Sequence, residues 1–600
     1  MRCADWIFKT LADRGAKHVF LVTGGGAMFL NDALRCEKRL TPVCCHHEQG
    51  AAIAAEGYAR ITGKPAVVSV TTGPGGTNAL TGVIGQWLDS VPVVYISGQV
   101  KKITTTWSCP ELKLRQLGDQ EINIVDIVRP VTKYAKFVDD PKSIRRELEI
   151  ALWHAVHGRP GPVWLDVPID VQSAEVAESA LEPFVPPEEP EYAPSPDEVA
   201  RCAAMLRRAE RPVVIAGNGI RIVGAKADFL KFIEKRGIPA LGTFNGMDML
   251  DDDHPLNAGR IGTIGQRAGN FVLQNADLIL SLGSRNNIRQ VSYNWENFGC
   301  RAAKIAVDID PAELGKRLFC PDLAIAADAK KFISALDAEL DKAPLPDWKK
   351  WREWCAERRR ALPALTQEHR EWRDGVNPYF FMHEVCRAAP DGANIVAGNG
   401  TACVALFQTA CVAGGKRIFW NSGCASMGYD LPAALGAAAA NGRTTVALAG
   451  DGSIMMNLQE LQTIVRSRLP VKIFVLDNDG YSSIKQTQRN VFGPELIGCD
   501  DASGVSFPDF AAVGAAFGLA TGTLTDQEGL FARLEAILAA PGPSLTVVKL
   551  PADFGFAPKL SSRKLEDGTL VSATLEDMFP FLDREEFARH MIDAGSRNKE

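Results

Sequence analysis

Short apolar runs that end in glycine alternate along the chain with longer amphipathic or alanine-rich stretches. Residues 17–22 run into Gly24, Gly25 and Gly26, and residues 66–70 end at Gly73-Pro74-Gly75-Gly76. Residues 91–96 form a further apolar run, and residues 50–60, rich in alanine, read as a helix. Strands separated by helices at this spacing predict βαβ units and a parallel sheet. The same rhythm returns at 212–216, 278–282 and 304–308, and again at 445–449 and 471–476. A proline- and glutamate-rich stretch at 182–197 reads as a linker, and a charged, tryptophan-rich stretch at 347–373 as a helical connector. The pattern therefore predicts an α/β protein of three doubly wound parallel-sheet domains, 1–180, 198–340 and 375–555. A C-terminal tail at 556–600 follows, with acidic-hydrophobic helical pieces around 575–591.

Composition narrows the classes. The 600 residues carry 66 Lys+Arg against 72 Asp+Glu, a formal charge of −6. Nucleic-acid binders usually show a basic excess, so small molecules are the expected partners. No run reaches the roughly 18 apolar residues of a membrane span. The opening Met-Arg-Cys-Ala-Asp-Trp has an early acid and no apolar core, unlike a secretory signal. The 14 cysteines include no C-x-x-C pair, which reads as reduced thiols in a cytoplasm.

The sharpest chemical signal is Gly450-Asp451-Gly452-Ser453 directly after an apolar run, with Asp477-Asn478 closing the next one. One right-handed crossover brings such strands side by side, so Asp451 and Asn478 should share the C-terminal sheet edge where open α/β sheets bind ligands. A carboxylate and an amide carbonyl are hard oxygen ligands, suited to Mg²⁺ shared with phosphate oxygens. Gly452 lets backbone approach a phosphate at a helix N-terminus. Elsewhere, His47-Glu48-Gln49 opens the alanine-rich helix. A carboxylate in such apolar surroundings can stay protonated and take part in proton transfer.

These motifs resemble those of thiamine-diphosphate (ThDP) enzymes, and residues 450–461 are most similar to the acetohydroxyacid (acetolactate) synthase group. The resemblance spans nearly the full chain. It implies that Asp451, Asn478 and the Gly480 carbonyl hold Mg²⁺, and that Glu48 contacts the aminopyrimidine and starts the chemistry. It assigns cofactor contacts to Gly25 and Gly26, to Gly73, Pro74 and Asn78, and to Gly398, Asn399, Gly400 and Thr401. Ala425, Ser426 and Met427 would grip the pyrimidine, with Met427 as the wedge; Gly450, Gly452, Ser453 and Tyr481 would lie at the diphosphate. Asn399, Gly400 and Asp477 depart from the group's usual residues.

In the middle domain, Gly217 and Gly219, Arg285 and Arg289, and Asp308 and Asp310 sit at strand ends, as glycines and acids do in dinucleotide folds. The resemblance implies FAD there; relatives hold ADP or nothing. It also implies a homodimer or homotetramer.

The pattern breaks at Leu117-Gly118-Asp119-Gln120-Glu121: Gln120 is kept, but Asp119 replaces the aromatic that lines the family's pyruvate pocket. An acid there would repel a second 2-keto acid and suit a hydroxylated acceptor. Residues 103–115 alter the pocket mouth, and 565–569 with 575–578 look like tails of thiamine enzymes of surface-sugar pathways. The expected function is decarboxylation of a 2-keto acid, pyruvate first, with transfer of the two-carbon unit to a second 2-keto acid or a keto sugar nucleotide. Alternatives are a ThDP-dependent decarboxylase or carbon–carbon hydrolase, and a dinucleotide-dependent oxidoreductase. The tail is a candidate lid.

Overall fold

The computed structural model describes residues 1–188, 191–564 and 570–592. Residues 565–569, part of the tail resemblance, lie outside the described residues. Among the described residues no helix is long and apolar enough to cross a membrane.

Eighteen strands form three six-stranded sheets, parallel in every pairing. The first holds β1 (His18–Leu21), β2 (Thr41–Cys44), β3 (Ala66–Val70), β4 (Val93–Gln99), β5 (Tyr134–Phe137) and β6 (Val163–Pro168), in the order β2-β1-β3-β4-β6-β5. The second holds β7 (Pro212–Ala216), β8 (Ala240–Gly242), β9 (Asn257–Arg260), β10 (Leu278–Leu282), β11 (Ala303–Asp308) and β12 (Leu323–Ala326), in the order β12-β11-β10-β7-β8-β9. The third holds β13 (Asn394–Ala397), β14 (Arg417–Phe419), β15 (Thr445–Gly450), β16 (Val471–Asp477), β17 (Ala520–Leu524) and β18 (Ser544–Lys549), in the order β14-β13-β15-β16-β18-β17. Every residue of β3, β4, β7 and β10 is buried. Helices cover both faces of such strands, which is why they read as unbroken apolar runs.

Numbered from their own first strand, the first and third sheets share the order 2-1-3-4-6-5, and the second has 3-2-1-4-5-6. In each, the chain leaves its first strand in one direction and returns on the other side. That reversal opens a crevice at the C-terminal edge, the ligand position of open α/β sheets, and 3-2-1-4-5-6 is the order of dinucleotide folds.

The end domains meet through two helices, Glu48–Thr62 and Asp430–Asn441. A Cβ on Gly57 would stand 2.1 Å from the Ala433 carbonyl oxygen, and one on Gly436 1.8 Å from that of Ala54. These pairings make the helices antiparallel, with backbones in direct contact. The first helix begins at Glu48, two residues before the alanine-rich pattern, because the His47 ring nitrogen accepts the Gln49 N–H at 3.0 Å and caps it. Gly63, at φ 66°, ends it.

The tail packs on the middle-domain helix Arg267–Asn275. Asn270 donates to the Leu575 carbonyl at 3.0 Å, Gln274 to Glu576 at 2.7 Å and Asn275 to the His590 carbonyl at 3.1 Å. Of the helical pieces expected at 575–591, one helix forms, Arg584–Arg589. Pro580, which has no N–H to donate, falls at a bend in the stretch that stays non-helical. A short ribbon, Ser562–Lys564 against Leu570–Ser572, precedes it.

Candidate active site

The glycine loops fall at the three crevices. In the first sheet, Gly24–Gly26 follow β1 and Gly73–Gly76 follow β3, on either side of the reversal. The loops interlock: a Cβ on Gly24 would stand 2.5 Å from the Thr71 side chain, and one on Gly26 3.0 Å from that of Thr72, whereas Gly25 faces open space. Gly73 has φ 62°, and a Cβ on it would meet the Gln120 carbonyl at 2.5 Å. Gln120 is therefore carried to this crevice by its backbone. Pro74 starts the helix Pro74–Asn78, where its missing N–H costs nothing. At the end of that helix, the Asn78 amide donates to Glu48 Oε2 at 2.9 Å. Glu48 is 8% exposed.

In the third sheet, Gly398–Thr401 follow β13, Gly450 ends β15 with Asp451–Ser453 after it, and Asn478–Gly480 follow β16. Asp451 Oδ2 accepts the Gly480 N–H at 2.9 Å and the Asn478 N–H at 3.3 Å, and Oδ1 accepts the Gly452 N–H at 2.7 Å. Burial raises the Asp451 carboxyl to about 6, against those hydrogen bonds, with nearby Asp477 adding to the rise. Asn478 Oδ1 lies 2.7 Å from the Gly480 carbonyl oxygen and 3.3 Å from Asp451 Oδ2. Reversing that amide would turn its NH₂ onto both oxygens and satisfy the site without a cation. A carboxylate, an amide side chain and a backbone carbonyl that converge there can supply hard oxygen ligands, so the donor set fits Mg²⁺. Asp477, in place of the group's usual asparagine, pairs with Lys549.

Around this cluster, Thr401 opens the nine-residue helix Thr401–Thr409 and its hydroxyl receives the Asn478 amide at 3.4 Å. Its N-terminal backbone N–H groups suit a diphosphate. A Cβ on Gly452 would stand 1.9 Å from the Tyr481 ring, so glycine lets that ring close over the turn. Asn399 donates to the Ala425 carbonyl at 2.8 Å, tying the Gly398 loop to the segment that carries Ser426 and Met427. Ala425 itself holds φ 53°. Met427 is half-buried, next to Gly428, whose N–H donates to Ser453 Oγ at 2.9 Å.

Sequence reasoning missed several residues. Asp430 accepts the Ser453 hydroxyl at 2.5 Å, and burial raises its carboxyl to about 6 against that hydrogen bond. A Cβ on Gly398 would stand 2.3 Å from it. Glu460, within the 450–461 motif, accepts the N–H groups of His46 and His47 at 3.0 and 3.2 Å and fixes the turn before Glu48. Glu121, 3% exposed, accepts from Thr106, Leu117 and Gly118 and clamps the 103–118 loop. Its neighbour Asp119 is exposed. An acid beside a departure from a known motif was the available signal for Glu121.

Within one chain the two crevices lie far apart. The antiparallel pairing puts Glu48 level with Gly442, while Asp430, bound to Ser453, starts the other end of that helix. Twelve residues of helix separate those levels by about 18 Å.

The middle crevice is a cleft that receives Gly219, Arg285 and Asp308 from the second domain, Asp89 and Arg159 from the first and Ser422 from the third. A Cβ on Gly217 would stand 2.1 Å from the Gly283 carbonyl, so glycine lets the loops after β7 and β10 cross. Burial raises Asp308 to about 6. Asp310 pairs with Arg159 at 3.0 Å, and Arg289 lies over the Phe244 ring at 5.5 Å rather than along the cleft. Asn218 Oδ1 and Asn245 Oδ1 are buried without a partner. Two free acceptors and an arginine in a cleft of this strand order fit a nucleotide.

Comparisons with known proteins agree with the three-domain fold. Family models match over all three domains: thiamine pyrophosphate enzyme, N-terminal TPP binding domain at 1–126, central domain at 199–336, and C-terminal TPP binding domain at 398–548. The chain is 33% identical over 551 residues to the acetolactate synthase isozyme 1 large subunit of Escherichia coli K12, covering 92% of this chain and 94% of that one. It is 32% identical over 556 residues to the isozyme 2 large subunit of the same bacterium, covering 92% and 96%. It is also 32% identical to the probable chloroplastic acetolactate synthase 2 of rice, covering 93% and 84%. The chain belongs to the thiamine-diphosphate-dependent enzymes of the acetolactate synthase-like family.

Proposed function

We propose that this carboligase decarboxylates pyruvate and transfers the two-carbon unit to a carbonyl acceptor. The observation that carries the reading is the pairing of two crevices: Asn78 on Glu48 at 2.9 Å in one, and the oxygen cluster of Asp451, Asn478 and Gly480 in the other. Mg²⁺ at that cluster would anchor a diphosphate, with the amides at Thr401 and Ser453 completing its contacts. Bound ThDP supplies an electron sink for loss of CO₂. Glu48 moves a proton at the aminopyrimidine, and Asn78 fixes its carboxylate.

The reading requires two copies of the chain. The two halves sit about 18 Å apart along one helix pair. A homodimer that sets the Glu48 of one copy against the Asp430–Ser453 half of the other completes two sites. FAD or ADP is the proposed occupant of the middle cleft.

The relatives' names support a second 2-keto acid as acceptor. Exposed Asp119, beside Gln120 at the Gly73 loop, supports a hydroxylated acceptor such as a keto sugar nucleotide. Product mass from purified enzyme with ThDP and Mg²⁺ separates them. Acetolactate from pyruvate alone supports the first. Pyruvate consumption only with a 4-keto-sugar nucleotide, and a product heavier by an acetyl unit, supports the second. No pyruvate consumption in either arm overturns the donor.

A further inference from the structure

Asp89 is the last residue of the helix Leu80–Asp89, and its carboxylate is fully buried. Three domains donate to it. From its own domain, Arg60 reaches Oδ2 at 2.7 Å. From the third domain, the N–H groups of Ser422 and Gly423 arrive at 2.9 and 3.0 Å, and the Ser422 hydroxyl at 3.5 Å. From the middle domain come Arg285 at 3.2 Å and Asn245 at 3.4 Å. The approach is close enough that a Cβ on Gly423 would stand 2.8 Å from Asp89 Oδ1.

The two sides of Asp89 belong to different ligands. Ser422 and Gly423 begin the segment leading to Ala425, Ser426 and Met427. Its next turn is held by Asn421, whose oxygen accepts the N–H groups of Cys424 and Ala425 at 3.0 and 3.2 Å. Arg285 and Asn245 line the middle cleft, where Asn245 Oδ1 has no partner. A nucleoside diphosphate there offers phosphate and ribose oxygens to those same donors. Each donor it draws away leaves more of the Asp89 charge to the Ser422 and Gly423 amides, and the segment is held more firmly.

We propose that Asp89 is a positioning residue that couples nucleotide occupancy of the middle cleft to the grip of the 421–428 segment on thiamine diphosphate. The inference rests on the placement of the thiamine pyrimidine at that segment and of a nucleotide in the cleft. Coupling free energies of this kind correspond to factors of about 5–150. The affinity of the full-length protein for ThDP with Mg²⁺, read by tryptophan fluorescence (Trp420 abuts the segment), is measured with and without saturating FAD or ADP.

The expected result is at least about a fivefold tightening of ThDP by one of the two nucleotides, with ThDP tightening that nucleotide by the same factor. In Asp89→Asn both cofactors still bind and the mutual factor falls to near one. Unchanged coupling in that variant overturns the proposal, as does absence of coupling in the native protein. Failure of both nucleotides to bind overturns the cleft reading with it, while ThDP binding stays intact. Failure of ThDP itself to bind would instead count against the thiamine site. If Asp89→Asn does not fold, Arg285→Gln at saturating nucleotide decides: retained coupling overturns the proposal.

Discussion

Gly57 and Ala433 touch so closely that a Cβ on the glycine would stand 2.1 Å from the alanine's carbonyl oxygen. Backbone cannot yield as a side-chain tip can, so this contact fixes the spacing of the two end domains. Gly57→Ala should therefore cost about 3 kcal/mol or more, at the upper end of overpacking effects. The check is chemical denaturation of the variant beside Gly63→Ala, where the added Cβ meets nothing within 4 Å but φ is 66°. Equal losses in both would show that the helix contact is not the cause.

Glu48→Gln keeps the shape and the Asn78 contact but cannot exchange a proton. ThDP should bind with nearly native affinity while turnover falls by about 10² to 10⁴, the range of general acid–base contributions. Unchanged turnover would remove Glu48 from the mechanism.

A cation at the Asp451 cluster must displace a proton from a carboxyl whose affinity for protons burial has raised to about 6. Mg²⁺ binding should therefore weaken as pH falls below about 6, by up to tenfold per pH unit. Titrations of Mg²⁺-dependent ThDP binding at pH 5 and 7 test this. Asp451→Asn should weaken binding at both pH values and flatten the dependence.

Asp248 is wholly buried between Arg221 at 2.7 Å and Arg417 at 2.9 Å, with Lys226 close by. Burial alone would raise its carboxyl, but the three cations outweigh it and hold the group at about 2. The unfolded group titrates near about 3.9. Its contribution to stability is therefore complete above about pH 4 and is lost as pH falls toward about 2. Asp248→Asn strands three cations and should cost about 3–5 kcal/mol at pH 7, with a smaller difference from the native protein at pH 3. A penalty that grows on acidification would contradict this sign.

Glu121 holds the 103–118 loop by charge-assisted hydrogen bonds to backbone; those bonds outweigh burial, which acts to raise its carboxyl, and leave it low. Glu121→Ala should release the loop and speed tryptic cleavage after Lys113 or Arg115 by at least about tenfold, as expected for local opening that loses roughly 1.4 kcal/mol of protection. Native-like resistance would place the loop's order elsewhere.

What the chain reveals before folding follows burial. β3, β7, β10, β15 and β16 are covered on both faces, so they stand out as apolar runs, and the glycines at their ends mark the crevices. β17 lies at an edge with four of five residues exposed, and β9 contains Gly259, so neither carries a period that pattern reading detects. The site divides likewise. Glu48, Asp451 and Asn478 lie in contiguous motifs of fixed spacing. Asp89 and Glu460 owe their contacts to segments brought together from distant parts of the chain, and Asp430 lies outside any motif read from the sequence. The helical reading of the tail failed at Pro580, where composition outweighed the missing donor.

The antiparallel contact at Gly57 and Gly436 also bears on the order of assembly. The two helices are separated in the chain by the rest of the first domain, the whole middle domain and the connector. During synthesis, the small-residue face of Glu48–Thr62 emerges long before the helix it packs against. A first domain that completes its own sheet still waits with that face uncovered, and closing so long a loop carries an entropic cost that local contacts cannot offset early. Docking of the end domains is thus a late event in folding, and chains interrupted before residue 441 expose an alanine-lined surface prone to pairing with copies of itself.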